Sequence, residues 1–117
     1  MAEITEYTYM QIRDLLESKI KYIELRDNAG TKIIRIPITD ERVTHNYDRT
    51  SQEQTYSVLI KGTDADIPIP CTFGSTALFE GIDSTEAISV EQTTSFQLNA
   101  EVDELTITHK LQIPEVK

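Results

Sequence analysis

The spacing of hydrophobic residues changes from a helical period to strict alternation soon after the N-terminus. The first segment has apolar residues that recur at helical spacing, which are Ile12, Leu15, Leu16 and Ile20. Thr8 and Gln11 match a capping box, so the helix is predicted to begin at Thr8 and to cover residues 8–21. Its polar face, which includes Arg13, is expected to lie in water.

The next segment, 22–38, predicts a β-hairpin. Two alternating runs flank the tetrapeptide Asp27-Asn28-Ala29-Gly30, which is a strong turn signal. Pro37 lacks a backbone N–H and cannot donate to a ladder, so the second strand should lie at a sheet edge or end there. The charged residues of this segment are expected to pair across the outer face of the hairpin.

Residues 39–54 are polar and poorly periodic, and the stretch is longer than an ordinary connection. Two interpretations of this segment are possible: a mobile arm, or a loop that contains a short strand around Val43 to Tyr47. Long loops of this kind are often where proteins bind their partners.

Residues 55–113 return to alternation and predict the remaining strands. The segments expected to be extended are 55–61, 67–73, 87–91, 94–101 and 105–113, whereas Gly74-Ser75-Thr76 is expected to break the pattern. The clearest strand is the last, in which Leu105, Ile107, His109, Leu111 and Ile113 share one face. A turn at 102–104 should join it to the preceding strand as a hairpin.

These elements predict one α+β domain over residues 1–117 that is mostly β. A short N-terminal helix packs on an antiparallel sandwich or barrel of about six or seven strands, since no helices separate the strands as a parallel sheet would require. The length of 117 residues agrees with a single domain.

The composition limits the classes of partner and the location that can be expected for the protein. Asp and Glu outnumber Lys and Arg by 20 to 11, giving a formal net charge of −9, which argues against nucleic acid or an anionic membrane as a partner. No secretory signal or long apolar run is present. Cys71 is the single cysteine and should be a small buried residue, so a cytoplasmic location is expected.

Candidate chemistry is sparse, and no catalytic, cofactor-binding or metal-ligating residue is predicted. His109 lies on an apolar strand face and is expected to be a core histidine, whereas His45 is expected to be a solvated loop residue. Asp64 and Asp66 lie close together but lack the ligand order of a calcium loop, so they are expected to be solvated turn residues. No zinc spacing and no nucleophile elbow are found.

We therefore expect a non-enzymatic structural, assembly or protein-interaction module, with protein partners and a homo-oligomeric state. The candidate interface residues are Tyr7, Tyr9, Met10, Tyr47 and Arg49. In general character the chain is similar to small structural proteins of tailed bacteriophages and prophages, such as head–tail connector or tail proteins, which implies a place in a virion. The alternatives are a small ligand-binding β-barrel and a hydrolase that uses acidic residues.

Overall fold

The computed structural model describes residues 2–113, which form one helix and seven antiparallel strands. The helix α1 spans Glu6–Lys19, and the strands are β1 Tyr22–Arg26, β2 Lys32–Pro37, β3 Val43–Asn46, β4 Glu53–Lys61, β5 Cys71–Phe79, β6 Ser89–Leu98 and β7 Glu104–Gln112. One sheet has the strand order β2-β1-β5-β6 and the other has the order β3-β4-β7. The sheets do not close into a barrel, so of the two architectures predicted the sandwich is confirmed.

The first hairpin agrees with its prediction. β1 pairs with β2, β2 is an edge strand, and Pro37 is its last residue. The turn is closed by Gly30 at a φ of 82°, a conformation that favours glycine. The short strand expected around Val43 is also present, as β3, which pairs with β4.

Helix α1 differs from its prediction at its start and on its polar face. Thr5 is the N-cap, and its hydroxyl accepts a 3.4 Å bond from the Thr8 N–H, so the helix begins earlier than the Thr8 capping box predicted. Arg13, which was expected in water, is buried. A helical wheel marks it as polar, but its guanidinium reaches back to bond with other segments of the chain.

The segment 71–79 was expected to break at Gly74 and is instead one continuous strand, β5, at the centre of its sheet. It is buried on both faces, so its residues do not alternate. Gly74 lies against the turn of the first hairpin. A Cβ at this position would lie 2.8 Å from Asn28 Cα. The glycine that was expected to interrupt the strand therefore allows a close contact with Asn28, and the strand is continuous.

The predicted C-terminal hairpin is wrong. Residues 89–98, where two strands were predicted, form one strand, β6, which pairs with β5, while β7 pairs with β4 in the other sheet. The connection 99–103 therefore crosses between sheets. It passes so close to Gly62 that a Cβ there would lie 2.7 Å from Glu101 Cα.

The core lies between the two sheets and is apolar. Its nearly fully buried members are Ile20, Ile23, Leu25, Ile36, Tyr56, Val58, Ile60, Ile67, Phe73, Leu78, Leu98 and Ile107. The alternation of β4 follows directly from this packing, since Gln54, Tyr56, Val58 and Ile60 are buried and face the core. Within residues 2–113, no helix has the length and apolarity needed to cross a bilayer.

Candidate functional site

An open groove separates the edge strands β6 and β7, which follow each other in the chain and lie side by side without a hydrogen-bonded ladder in the described part. It has a volume of about 330 Å³. Its walls are Glu91, Gln92, Thr93, Thr94 and Phe96 on the β6 side, and Thr106, Ile107, Thr108 and Lys110 on the β7 side. We call this groove the β6–β7 seam.

The backbone of β7 presents to the seam groups that pair with no other strand of residues 2–113. Ile113 N–H donates to Gln52 O at 2.8 Å, and Gly62 N–H donates to Asp103 O at 2.9 Å, so the odd-numbered residues of β7 bond to β4. Backbone direction alternates along a strand, so the N–H and C=O groups of Thr106 and Thr108 point away from β4, into the seam.

One end of the seam is closed by side chains. Lys110 N–H, which also points away from β4, donates to the Glu91 Oε1 atom at 2.8 Å. The carboxylate thus takes the place that a neighbouring strand's carbonyl would have. Beside it, Ser89 Oγ lies 2.8 Å from His109 Nε2. The two strands are therefore joined at this end and open along the middle of β7.

His109 is buried, as its position on the apolar face predicted. Its Nδ1 atom lies 2.7 Å from Thr76 Oγ1, so both ring nitrogens have hydroxyl partners, and these partners belong to the opposite sheet. Burial lowers the pKa of His109 below its ordinary value, while the negative charge of Glu91 opposes that shift. The residue is a neutral polar link between the sheets.

The edge of β7 is less protected than the other three sheet edges in the described part. Natural edges are guarded by proline, by short length or by bulges. β2 ends in Pro37, β3 has 4 residues, and β6 has a register shift opposite Gly74 that leaves Thr93 to Ser95 out of the ladder. β7 is 9 residues long and pairs with β4 in unbroken register.

A second groove, of about 910 Å³, lies beside Arg42. Arg42 binds Asp40 at 3.0 Å, Asp64 at 3.6 Å and Asp66 at 2.8 Å, and we call these four residues the Arg42 cluster. Asp64 and Asp66 were expected to be simply solvated and are instead ion-paired. Side-chain hydrogen bonds from Arg42 lower the pKa values of Asp40 and Asp66, so neither is suited to act as a general acid near neutral pH.

The predicted interface residues fall into two groups. Tyr7 is 61% exposed on α1, and Tyr9 and Met10 are partly exposed on the same helix. Tyr47 and Arg49 both bind Asp14 of α1, the arginine at 2.9 Å. The structure thus brings the loop residues against the helix, and Tyr7 is the member most exposed.

Two further predictions concern His45 and Cys71. His45 was expected in a solvated loop but lies on β3, stacked on Tyr56 with ring centroids 4.2 Å apart. Burial lowers its pKa. Cys71 is partly buried and packs against the core, and burial raises the pKa of its thiol. Neither residue lines the seam.

Sequence reasoning did not identify the seam. The Thr-rich outer face of β7 was visible as alternation, but β6 and β7 were predicted to pair as a hairpin. Nothing local in the sequence shows that each pairs instead with a strand of a different sheet. Among residues 2–113 no group of three or more His, Cys, Asp or Glu side chains is placed to hold a metal ion. The chain matches no protein-family model, no curated protein and no solved structure.

Proposed function

We propose that the chain is a non-enzymatic assembly module that associates with copies of itself by adding strands at a free sheet edge. The observation that carries this proposal is the β7 edge, whose Thr106 and Thr108 backbone groups point into the open seam. An edge strand with unpaired backbone groups is a template for another extended chain.

We infer a setting in which many copies assemble, of the kind found in a bacteriophage or prophage virion. The net charge of −9 supports this setting, because an acidic wall around a channel would not hold DNA phosphates. Partners are therefore proteins rather than nucleic acid, and no cofactor is needed for the proposed role.

The test is the oligomeric state of the intact protein. Native mass spectrometry and light scattering over a concentration series are expected to show species larger than the monomer that grow with concentration. Electron micrographs of the same samples would show whether these species are rings, tubes or small closed oligomers. A strict monomer at the highest soluble concentration would overturn the proposal.

A further inference from the structure

We propose that the β6–β7 seam binds the N-terminal segment Ala2–Thr5 of a second copy as an added β-strand next to β7. This inference rests on the proposed function and names the element through which the copies would associate. Its starting point is the middle of β7, where Thr106 and Thr108 face the seam with backbone donors and acceptors that no other described strand approaches in a ladder.

The chemistry of the groove selects an extended peptide as its occupant. Outward N–H and C=O groups recur every second residue along β7, at the spacing that another strand's backbone matches. The hydroxyl of Thr93, on the opposite wall, is buried and has no hydrogen-bond partner among the described residues. A compact ligand would satisfy one of these groups, whereas a strand would reach several of them.

The N-terminal segment is the part of the described chain best suited to supply that strand. The backbones of Ala2, Glu3 and Ile4 take part in no hydrogen bond recorded for residues 2–113, and Ile4 is 47% exposed. Residues 68–70 are also exposed, but two of the three are prolines, so they would be a poor ladder partner.

The length of the segment agrees with this assignment. Ala2 to Thr5 covers three steps of about 3.3 Å, which is enough to reach along the two steps from Thr106 to Thr108. Glu3 is the one charged residue within Ala2–Thr5, and the groove wall carries one residue of each sign, Lys110 and Glu91. The adjoining apolar residue, Ile4, would cover exposed surface near Phe96, which is itself 37% exposed.

Peptide binding tests the site without depending on the oligomeric state. A labelled peptide of residues 1–7 is titrated with the full-length Ile4→Asp protein, whose own N-terminal segment should leave the seam free, and fluorescence anisotropy is expected to show saturable binding. The same peptide with Ile4→Asp should bind about tenfold more weakly, because the substitution removes the burial of one large apolar side chain. Equal binding of the two peptides, or no binding, overturns the inference.

Hydrogen exchange by NMR locates the binding. In the full-length Ile4→Asp protein, the amides of Thr106 and Thr108 should exchange quickly without the peptide and slowly when it is bound, whereas the amide of Ile107, already in the ladder with β4, should change little. Protection that appears elsewhere, with none at Thr106 and Thr108, would place the peptide outside the seam and overturn the inference.

The full chain supplies the matching variants. Ile4→Asp is expected to dissociate the oligomer, while Val102→Asp, which adds the same charge at a residue that is 89% exposed, should leave it intact. If oligomers form and Ile4→Asp leaves them unchanged, the inference fails and the proposed function stands. If no oligomer forms and the peptide does not bind, both fail.

Discussion

Arg13 and Arg42 are each surrounded by oxygen atoms, and they differ in which oxygens those are. Arg13 Nη1 donates to Glu6 Oε1 at 2.7 Å and to Arg49 O at 2.8 Å, and its Nη2 donates to Ile113 O at 3.2 Å. We call this group the Arg13 cluster. It ties α1 to the loop after β3 and to the residue that follows β7, with a guanidinium that is fully buried.

The Arg42 cluster has more charge and less burial. Its three acceptors are carboxylates: Asp40 precedes β3, and Asp64 and Asp66 follow β4. The Arg42 side chain is 19% exposed. The carboxylate oxygens also have access to water, since the Asp66 side chain is 48% exposed. Water can therefore replace Arg42 for these partners, but not as readily for the carbonyls that Arg13 holds.

The comparison teaches that the environment of the partners, more than the number of ion pairs, decides how much an arginine stabilises the fold. Exposed ion pairs contribute about 0–1 kcal/mol, because solvent screens them and both side chains lose freedom. A buried donor whose partners would be left without hydrogen bonds is far more costly to remove.

The largest expected effect is that of Arg13→Met. The variant keeps much of the apolar volume but leaves the carbonyls of Arg49 and Ile113 without their donor, so the free energy of unfolding should fall by about 3 kcal/mol. Urea unfolding followed by circular dichroism measures this loss. The slope of the transition should remain that of the native protein if the fold is otherwise unchanged.

Arg42→Met is the matched control for this prediction, since it makes the same chemical change at an arginine with more ion pairs. It should cost clearly less stability than Arg13→Met. Equal losses in the two variants would contradict the comparison, and a larger loss in Arg42→Met would reverse it.

A second test concerns His109, which is buried like Arg13 but neutral. Burial lowers its pKa, so below its ordinary value of 6.5 the unfolded chain binds more protons than the folded one. The stabilisation is complete above 6.5 and is lost as the pH falls toward the folded-state pKa. The free energy of unfolding should therefore decrease from about pH 7.5 to about pH 5.5, by at most about 1.4 kcal/mol per pH unit for one proton.

The His109→Gln variant should show a shallower decrease over the same range. His45, whose pKa is also lowered by burial, contributes with the same sign, so His45→Gln serves as the companion variant. If His109→Gln does not fold, an NMR titration of the native protein still decides the question. A His109 ring that protonates at or above pH 6.5 would contradict the prediction.

The fold and the two clusters also show which features could be predicted from the sequence and which could not. The alternation of β4 and β7 predicted an antiparallel sandwich or barrel, because each strand buries one face and leaves the other in water. β5 is buried on both faces, so its sequence does not alternate between apolar and polar residues. Gly74 was therefore expected to interrupt the strand. Which strands pair depends on packing between distant segments, such as β4 with β7, and the consecutive strands β6 and β7 were predicted to pair with each other. For that reason the β6–β7 seam was missed.

The same limit applies to the side-chain clusters, whose members could be predicted to meet only where they are close in sequence. Asp40 and Arg42 are close in sequence, but Asp64 and Asp66 reach them only because the segment after β4 returns beside β3. Arg13 occupies a polar position in α1 and is the buried residue of that helix, whereas Leu15, which was assigned to the apolar face, is 54% exposed. Only the tertiary structure brings the Ile113 carbonyl to Arg13. The residue types were informative where their partners were local.

The smallest expected effect is the salt and pH dependence of Arg42→Met. The variant leaves three carboxylates without their shared cation, so it should lose about 1 kcal/mol at low ionic strength. Most of that loss should disappear from about 0.05 M to about 1 M NaCl, because salt screens exposed charges. Lys61→Met removes the same charge from the wall of the same groove and should change stability less.

Acid should also remove the difference between the native protein and Arg42→Met. The pKa values of Asp40 and Asp66 lie below their ordinary value of 3.8, so the stabilisation they contribute is complete above that pH and is lost as the pH falls through the folded-state values. Unfolding curves at a series of pH values should converge in this range. The deficit of Arg13→Met should persist in high salt, since two of its three acceptors are uncharged carbonyls. A salt-sensitive deficit in Arg13→Met would show that its charge, rather than its buried hydrogen bonds, stabilises the fold.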